Sequence, residues 1–190
     1  MDELRKWMEA FADALRGVGY GGFVFGEGAM KPRVALVGEA PGEFEARAGR
    51  PFVGKAGRRL DESLGSIGLT RGEVYVTNAV KIRPTRATRA GGTANRSPTA
   101  REVEAFAPWL YEELRRIAPE RIVTLGNVSL RSLCGAGVSV GEARGAWREW
   151  EGFRVFPMYH PAALIYNRKL EPIFLSDWSA LAADLGRVDG

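Results

Sequence analysis

Apolar positions recur at helical spacing near the start of the chain. Leu4, Trp7, Met8, Phe11, Ala14 and Leu15 fall on one side of a 3.6-residue repeat, which predicts an amphipathic helix packed on a sheet. Glycines across 17–22 break it, and 23–25 is a short apolar piece. The period then changes. Residues 34–37 form a continuous apolar run, V-A-L-V, of the kind found in strands buried on both faces. Leu60, Leu64 and Ile67 restore the helical repeat over 57–69, and V-Y-V-T within 73–78 predicts the next strand. Pro98-Thr99 opens a long helix, with Thr99 and Glu102 at capping-box spacing and Val103, Phe106, Leu110, Leu114 and Ile117 as its apolar face; Pro119 ends it. Residues 122–125 predict a strand closed by Gly126, and 127–133 a short helix. Residues 146–150 and 153–158 predict strands around Glu151-Gly152. A last helix over 174–185 carries Trp178, Leu181 and Leu185 inward and ends at Gly186. Strands alternating with helices predict an α/β fold, with a mostly parallel sheet covered on both faces.

The segment 34–57 organises this arrangement. An apolar strand stops at Gly38, a loop rich in Gly, Pro, Glu and Arg follows, and a helical pattern restarts near Lys55. Open α/β sheets place ligands outside the carboxyl ends of their strands. The loop is long for a strand-to-helix connection, and Phe52 is an aromatic set among its polar residues. Three strand ends deliver Glu39, Asn78 and His160 to one edge of the sheet. An acid, an amide and an imidazole together suit a polar ring. His160 is the one histidine of the chain, and taken alone it reads first as a structural residue; its placement at a strand end shifts that reading.

Composition narrows the classes. The chain has 190 residues, 45% hydrophobic and 26% charged, which suits one globular domain over 1–190. No apolar run is long enough to span a bilayer, and 1–17 reads as an amphipathic helix rather than a signal peptide. A single cysteine, Cys134, excludes an internal disulfide and a thiolate-only metal cage, and fits a reducing, cytoplasmic setting. The net charge of +4 points to a polyanionic partner. A run without an acid lies over 81–96, where Lys81, Arg83, Arg86, Arg89 and Arg96 stand. That segment reads either as a solvated loop or as one that tracks phosphates.

Other chemistries fail on spacing. Gly54-Lys55 is followed by Ala56 instead of Ser or Thr, so a phosphate-binding loop is absent. Residues 38–42 lack the G-x-G-x-x-G order of a dinucleotide site. One His without His or Cys neighbours makes no zinc site, and no Ser sits in G-x-S-x-G. Cys134 lies in an apolar helix without a nearby base and reads as a structural thiol.

Several ordered motifs resemble the uracil-DNA glycosylase superfamily, and most of all its family 4. They are G-E-A-P-G-E at 38–43, G-R-P-F-V-G-K-A-G at 49–57, V-Y-V-T-N-A-V-K-I-R-P at 74–84, N-R-S-P at 95–98, the R-I-V-T-L-G strand, and H-P-A-A-L at 160–164. The resemblance implies a three-layer α/β/α fold around a central, mostly parallel four-stranded sheet. It implies a monomeric, monofunctional enzyme that acts on uracil-containing DNA. Its catalytic residues would be Glu45, placing the attacking water, and His160, facing the uracil O2. Gly38, Glu39, Ala40, Phe52 and Asn78 would bind the extruded base, Phe52 by stacking and Asn78 by pairing. Lys81, Arg83, Arg86, Arg89, Pro161, Ala162 and Leu164 would contact DNA, with Leu164 or a close neighbour as an apolar wedge exposed in the free protein.

Three departures accompany the resemblance. Family 4 carries four cysteines holding an iron–sulfur cluster. Here Ile82 and Phe106 stand at two of those positions and the amino-terminal pair is missing, so no metal or cluster is expected and apolar packing should replace it. The chain is longer between Pro84 and Asn95, and that insertion lacks the histidine of relatives that trap DNA covalently. Ala46 replaces a common acid beside Glu45. Two alternatives remain from sequence: a glycosylase for hypoxanthine or xanthine, and a non-catalytic DNA-binding relative.

Overall fold

The computed structural model describes residues 1–14 and 20–186. In chain order the elements are α1 (Asp2–Ala14), β1 (Tyr20–Phe23), β2 (Glu27–Gly28), β3 (Val34–Gly38), α2 (Glu43–Ala48), α3 (Lys55–Ser66), β4 (Tyr75–Asn78), β5 (Ile82–Ala87) and β6 (Thr93–Asn95). They continue as α4 (Ala100–Ile117), β7 (Arg121–Leu125), α5 (Asn127–Cys134), α6 (Val140–Ala143), β8 (Arg148–Trp150), β9 (Phe153–Met158), α7 (Ala163–Tyr166) and α8 (Glu171–Gly186), the last preceded by a 3-10 turn.

The main sheet has the order β2-β4-β3-β7-β9-β8. Its inner four strands are parallel, as the alternation of strands and helices predicts. The sheet is six-stranded instead of four, because short antiparallel strands extend both edges. β2 carries only Glu27 and Gly28, too short and polar to show as a strand in the sequence.

Side-chain alternation along β3 builds the two outer layers. Val34 and Leu36 enter one core with Leu60 and Leu64 of α3 and Trp178 and Leu181 of α8. Ala35 and Val37 enter the other, with Leu110, Leu114 and Ile117 of α4 and Leu133 of α5. The expected capping box forms at the start of α4, where Thr99 accepts from the Glu102 backbone. Helix α4 stops at Ala118, which adopts a left-handed φ of 45° just before Pro119.

Three local readings change. On α1 the buried row is Leu4, Met8 and Ala12, while Trp7 and Ala14 face solvent; the apolar stripe is rotated toward Ala12. Leu15 and the glycines at 17–19 lie outside the described residues. The connection 38–57 is not all loop, for α2 forms inside it. The basic segment 81–96 is a β-hairpin, with β5 paired to both β1 and β6 in a second, three-stranded sheet. Its tip closes through Thr88 and Gly92, and Gly91 takes the positive φ the turn requires.

Candidate active site

Parallel strands leave their carboxyl ends on one edge of the sheet. β3 ends at Gly38, β4 at Asn78, and β9 runs into His160. A cleft of about 690 Å³ opens there, within the size range of small-molecule sites. Glu39, Glu45, Phe52, Asn78 and His160 all line it.

His160 is set by its own turn. The Ala162 backbone N–H donates to its Nδ1 at 3.1 Å. A ring nitrogen that accepts carries no proton, so the neutral imidazole holds its hydrogen on Nε2. Burial holds the imidazole pKa down at about 4, and the nearby Glu45 carboxylate only partly opposes this. At neutral pH His160 is an uncharged N–H donor. Gly126, with φ of 93°, makes room for it, since a Cβ there would lie 3.2 Å from the His160 Cβ.

Phe52 sits in a strained backbone, with φ of 54°. Two side chains hold it so. The Arg71 guanidinium donates to the carbonyls of Pro51 and Phe52 and is itself paired with Asp61. Glu45 accepts from the backbone of Val53 at 3.0 Å and Gly54 at 2.7 Å through Oε1, and from Gly42 at 3.1 Å through Oε2. The phenyl ring is 5% exposed, so it floors the cleft without projecting into it. Gly38 permits this packing. A Cβ there would lie 2.4 Å from Asn78 Oδ1 and 2.6 Å from Phe52 Cζ.

The Glu45 carboxylate is therefore the staple of the loop. It ties the start of α2 to the start of α3. A carboxylate has about four acceptor sites, and three are used. One site on Oε2 is left for a further donor.

Asn78 is buried at the end of β4 and lines the cleft. Behind it lies a closed polar network. Lys81 Nζ donates to the Asn78 carbonyl at 2.7 Å and to Thr77 and Glu113, and Tyr75 donates to Glu113 at 2.9 Å. Lys81 and Glu113 are both fully buried. Desolvation pushes the Lys81 pKa down while Glu113 pulls it back up. Glu39 is held above the usual carboxylate range by burial, with the Ser97 hydroxyl opposing.

The residues expected to contact DNA separate into two groups. Arg86 and Arg89 are exposed on the hairpin. Lys81 is buried and neutralised by Glu113, so it reaches no surface. Arg83 is nearly buried, donating to Asn95 at 2.6 Å and to Glu43 at 3.3 Å; it positions the hairpin base. Arg96 is engaged by Glu102, whose pKa falls to about 2 under that bond. Ala40 and Ala162 line the cleft, whereas Pro161 is buried. Leu164 is only 6% exposed and joins the Phe52 core, so the exposed apolar side chain expected in this segment is a neighbour of Leu164. On a helical turn the next residues point elsewhere, and here Ile165 and Tyr166 are the exposed ones, at 53% and 89%.

Sequence reasoning missed Phe44, Lys55, Asn95 and Ser97, which also line the cleft. Asn95 and Ser97 lie in the N-R-S-P motif, which was the available signal; Phe44 carried none. An iron–sulfur cluster does not fit these residues. Ile82 and Phe106 are fully buried in one apolar cluster with Ala12, and Phe11 packs edge-on against Phe106 with centroids 5.4 Å apart. No thiolate is present there.

The family described as the uracil DNA glycosylase superfamily matches residues 25–182. The chain is 39% identical over 160 residues to the type-4 uracil-DNA glycosylase of Pyrobaculum aerophilum, covering 80% of this chain and 78% of that one. It is 40% identical over 158 residues to the type-4 uracil-DNA glycosylase of Thermotoga maritima, covering 81% and 78%. The crystal structure of wild-type SMUG2 from Pedobacter heparinus superposes with a TM-score of 0.59 at 15% identity, over 84% of this chain and 76% of that one; it shares the fold.

Proposed function

The chain belongs to the uracil DNA glycosylase superfamily, and from that premise we propose that it removes uracil from DNA, the first step of base excision repair, as a monofunctional hydrolase. The observation that carries the reading is the pairing of Asn78 with a neutral, Nε2-protonated His160 in one cleft. The Asn78 amide offers an N–H to uracil O4 and a carbonyl to N3–H. Cytosine presents the opposite polarity, and each unpaired buried group costs roughly 1–3 kcal/mol. A duplex hides these edges, so the nucleotide must leave the stack to be read.

In the reaction the C1′–N1 bond breaks and its electron pair goes to uracil. The His160 Nε2–H donates to O2, where that charge gathers, and stabilises the leaving anion. The remaining Oε2 acceptor site of Glu45 holds the water that attacks C1′ and takes the proton this water gives up, and the carboxylate's negative charge favours the developing sugar cation. Glu45 thus shapes the loop and orients the nucleophile through one carboxylate. Glu39, Ala40 and Phe52 complete the base pocket, with Gly38 making room for it.

The same reading has the chain working as one domain over 1–190, as a cytoplasmic monomer, without a cluster. The apolar packing of Ile82 and Phe106 supports the last point. Iron analysis and the visible spectrum of the purified protein test it, with no iron and no colour expected. The function is tested by abasic-site cleavage after incubation with uracil opposite G, opposite A and in single strands, beside hypoxanthine and xanthine. Release of uracil is expected. Release of only the other bases, or none, would overturn the proposal.

A further inference from the structure

Among the described residues, six large apolar side chains are substantially exposed, and three of them stand at the mouth of this one cleft. Ile165 and Tyr166 come from α7, after the histidine turn. The third, Phe44, comes from α2 and is 61% exposed. An aromatic ring left in water forgoes the stabilisation that burial gives, so its placement at a binding cleft needs a reason.

Packing does not supply one. Helix α2 has no buried residue, and no core of its own holds it. It is held by polar bonds: the Glu45 carboxylate to Gly42, Val53 and Gly54, and Glu43 to Arg83. The Phe44 ring rests beside Gly54, whose position would bring a Cβ 3.5 Å from Phe44 Cδ2. The ring therefore stands on a firmly stapled platform and leaves most of its surface free. Its neighbour Glu45 turns into the site. Both residues line the cleft, and the exposed Phe44 ring stands at its rim.

We propose that Phe44 is a stacking platform for the base next to the extruded nucleotide. The inference rests on the uracil-excision reading and adds a subsite to it. The occupant follows from continuity: a strand that places one nucleotide against Asn78 and His160 carries its neighbour across the cleft mouth. Every base has an aromatic face, so such a contact is tolerant of sequence. It also engages a strand whose bases are already unstacked, which favours single-stranded substrate.

The test couples the side chain to the base it should touch. Excision at limiting protein is measured for the parent, Phe44→Ala and Phe44→Trp. The substrates are two single-stranded oligonucleotides, one with ordinary bases flanking uracil and one with base-free tetrahydrofuran residues there. Removing the flanking bases should slow the parent on the order of tenfold, the scale of one base–aromatic stack. Phe44→Ala should be slowed equally on the ordinary strand, and not further on the base-free one. Phe44→Trp should restore the ordinary strand. Losses that multiply, or no loss in Phe44→Ala, would overturn the subsite while leaving uracil excision standing. A parent that excises uracil from neither strand would overturn both.

Discussion

The rings of Phe52 and His160 lie 5.6 Å apart, centroid to centroid, and 27° from parallel. Stacked bases repeat about every 3.4 Å, so a third ring between them would need about 7 Å. The 5.6 Å separation therefore leaves no room for a third ring between them. The contact also gives His160 an apolar neighbour, part of the burial that keeps it neutral.

That neutrality has a pH signature. The His160 pKa is about 4 in the fold and 6.5 in an unfolded chain. Between those values the unfolded state binds more protons, so acidification from pH 6.5 to 4 weakens the fold, and above 6.5 the effect is absent. His160→Gln removes this dependence. The gap in melting temperature between parent and variant should shift against the parent over that window and stay constant from about pH 7 to 8. Excision by the parent should show no loss near pH 6.5 from this group. A drop there would mean that His160 titrates as an ordinary exposed imidazole.

Asn78→Asp replaces an amide donor with a carboxylate that only accepts. Uracil excision should fall by roughly one to two orders of magnitude, the worth of one buried hydrogen bond and the repulsion that replaces it. The carboxylate accepts from the cytosine amino group, so the residual base preference should move toward cytosine. Unchanged uracil release in a base-release panel would remove Asn78 from base reading.

The hairpin carries both exposed cations, Arg86 and Arg89, and buried ones, Lys81 and Arg83. Neutralising Arg86 and Arg89 should weaken duplex binding and lower the slope of log affinity against log salt by up to about 0.9 for each phosphate that an arginine neutralises. Uracil preference should not change. Lys81→Met should act on stability instead, costing roughly 3–5 kcal/mol by leaving Glu113 buried without its partner. Salt titrations and thermal melts distinguish the two. Equal salt slopes in parent and double variant would place the hairpin off the DNA.

Much of this was legible in the sequence because it depends on period and on strand ends. The run at 34–37, the Thr99 cap and the convergence of Asn78 and His160 follow from local pattern plus parallel topology. What could not be read is pairing over distance. Nothing near Lys81 in sequence announces Glu113, 32 residues on, so a buried ion pair looked like a surface charge. The partners of Arg83 are equally out of local reach, since Asn95 and Glu43 come from other elements. The triple use of Glu45 was hidden too, because its backbone partners are defined only once 42–54 folds back on itself.

The segment after His160 carries the last prediction. Extruding a nucleotide opens a gap in the stack, and an apolar side chain that enters it slows the return of the base. Leu164 is anchored among Phe52 and its neighbours, so it does not serve. Ile165 and Tyr166 follow it on the same short helix, are exposed at 53% and 89%, and are free to enter a duplex. Replacing both with Ala should reduce excision from double strands far more than from single strands, which have no stack to fill. Leu164→Ala should instead cost roughly 2–5 kcal/mol of stability, seen in the melting curve, and slow both substrates alike. Loss of His160 should also slow both alike, because it acts after the base is already in the cleft. Equal losses on single and double strands for the Ile165 and Tyr166 double variant would leave the gap unfilled by this segment and sink the wedge.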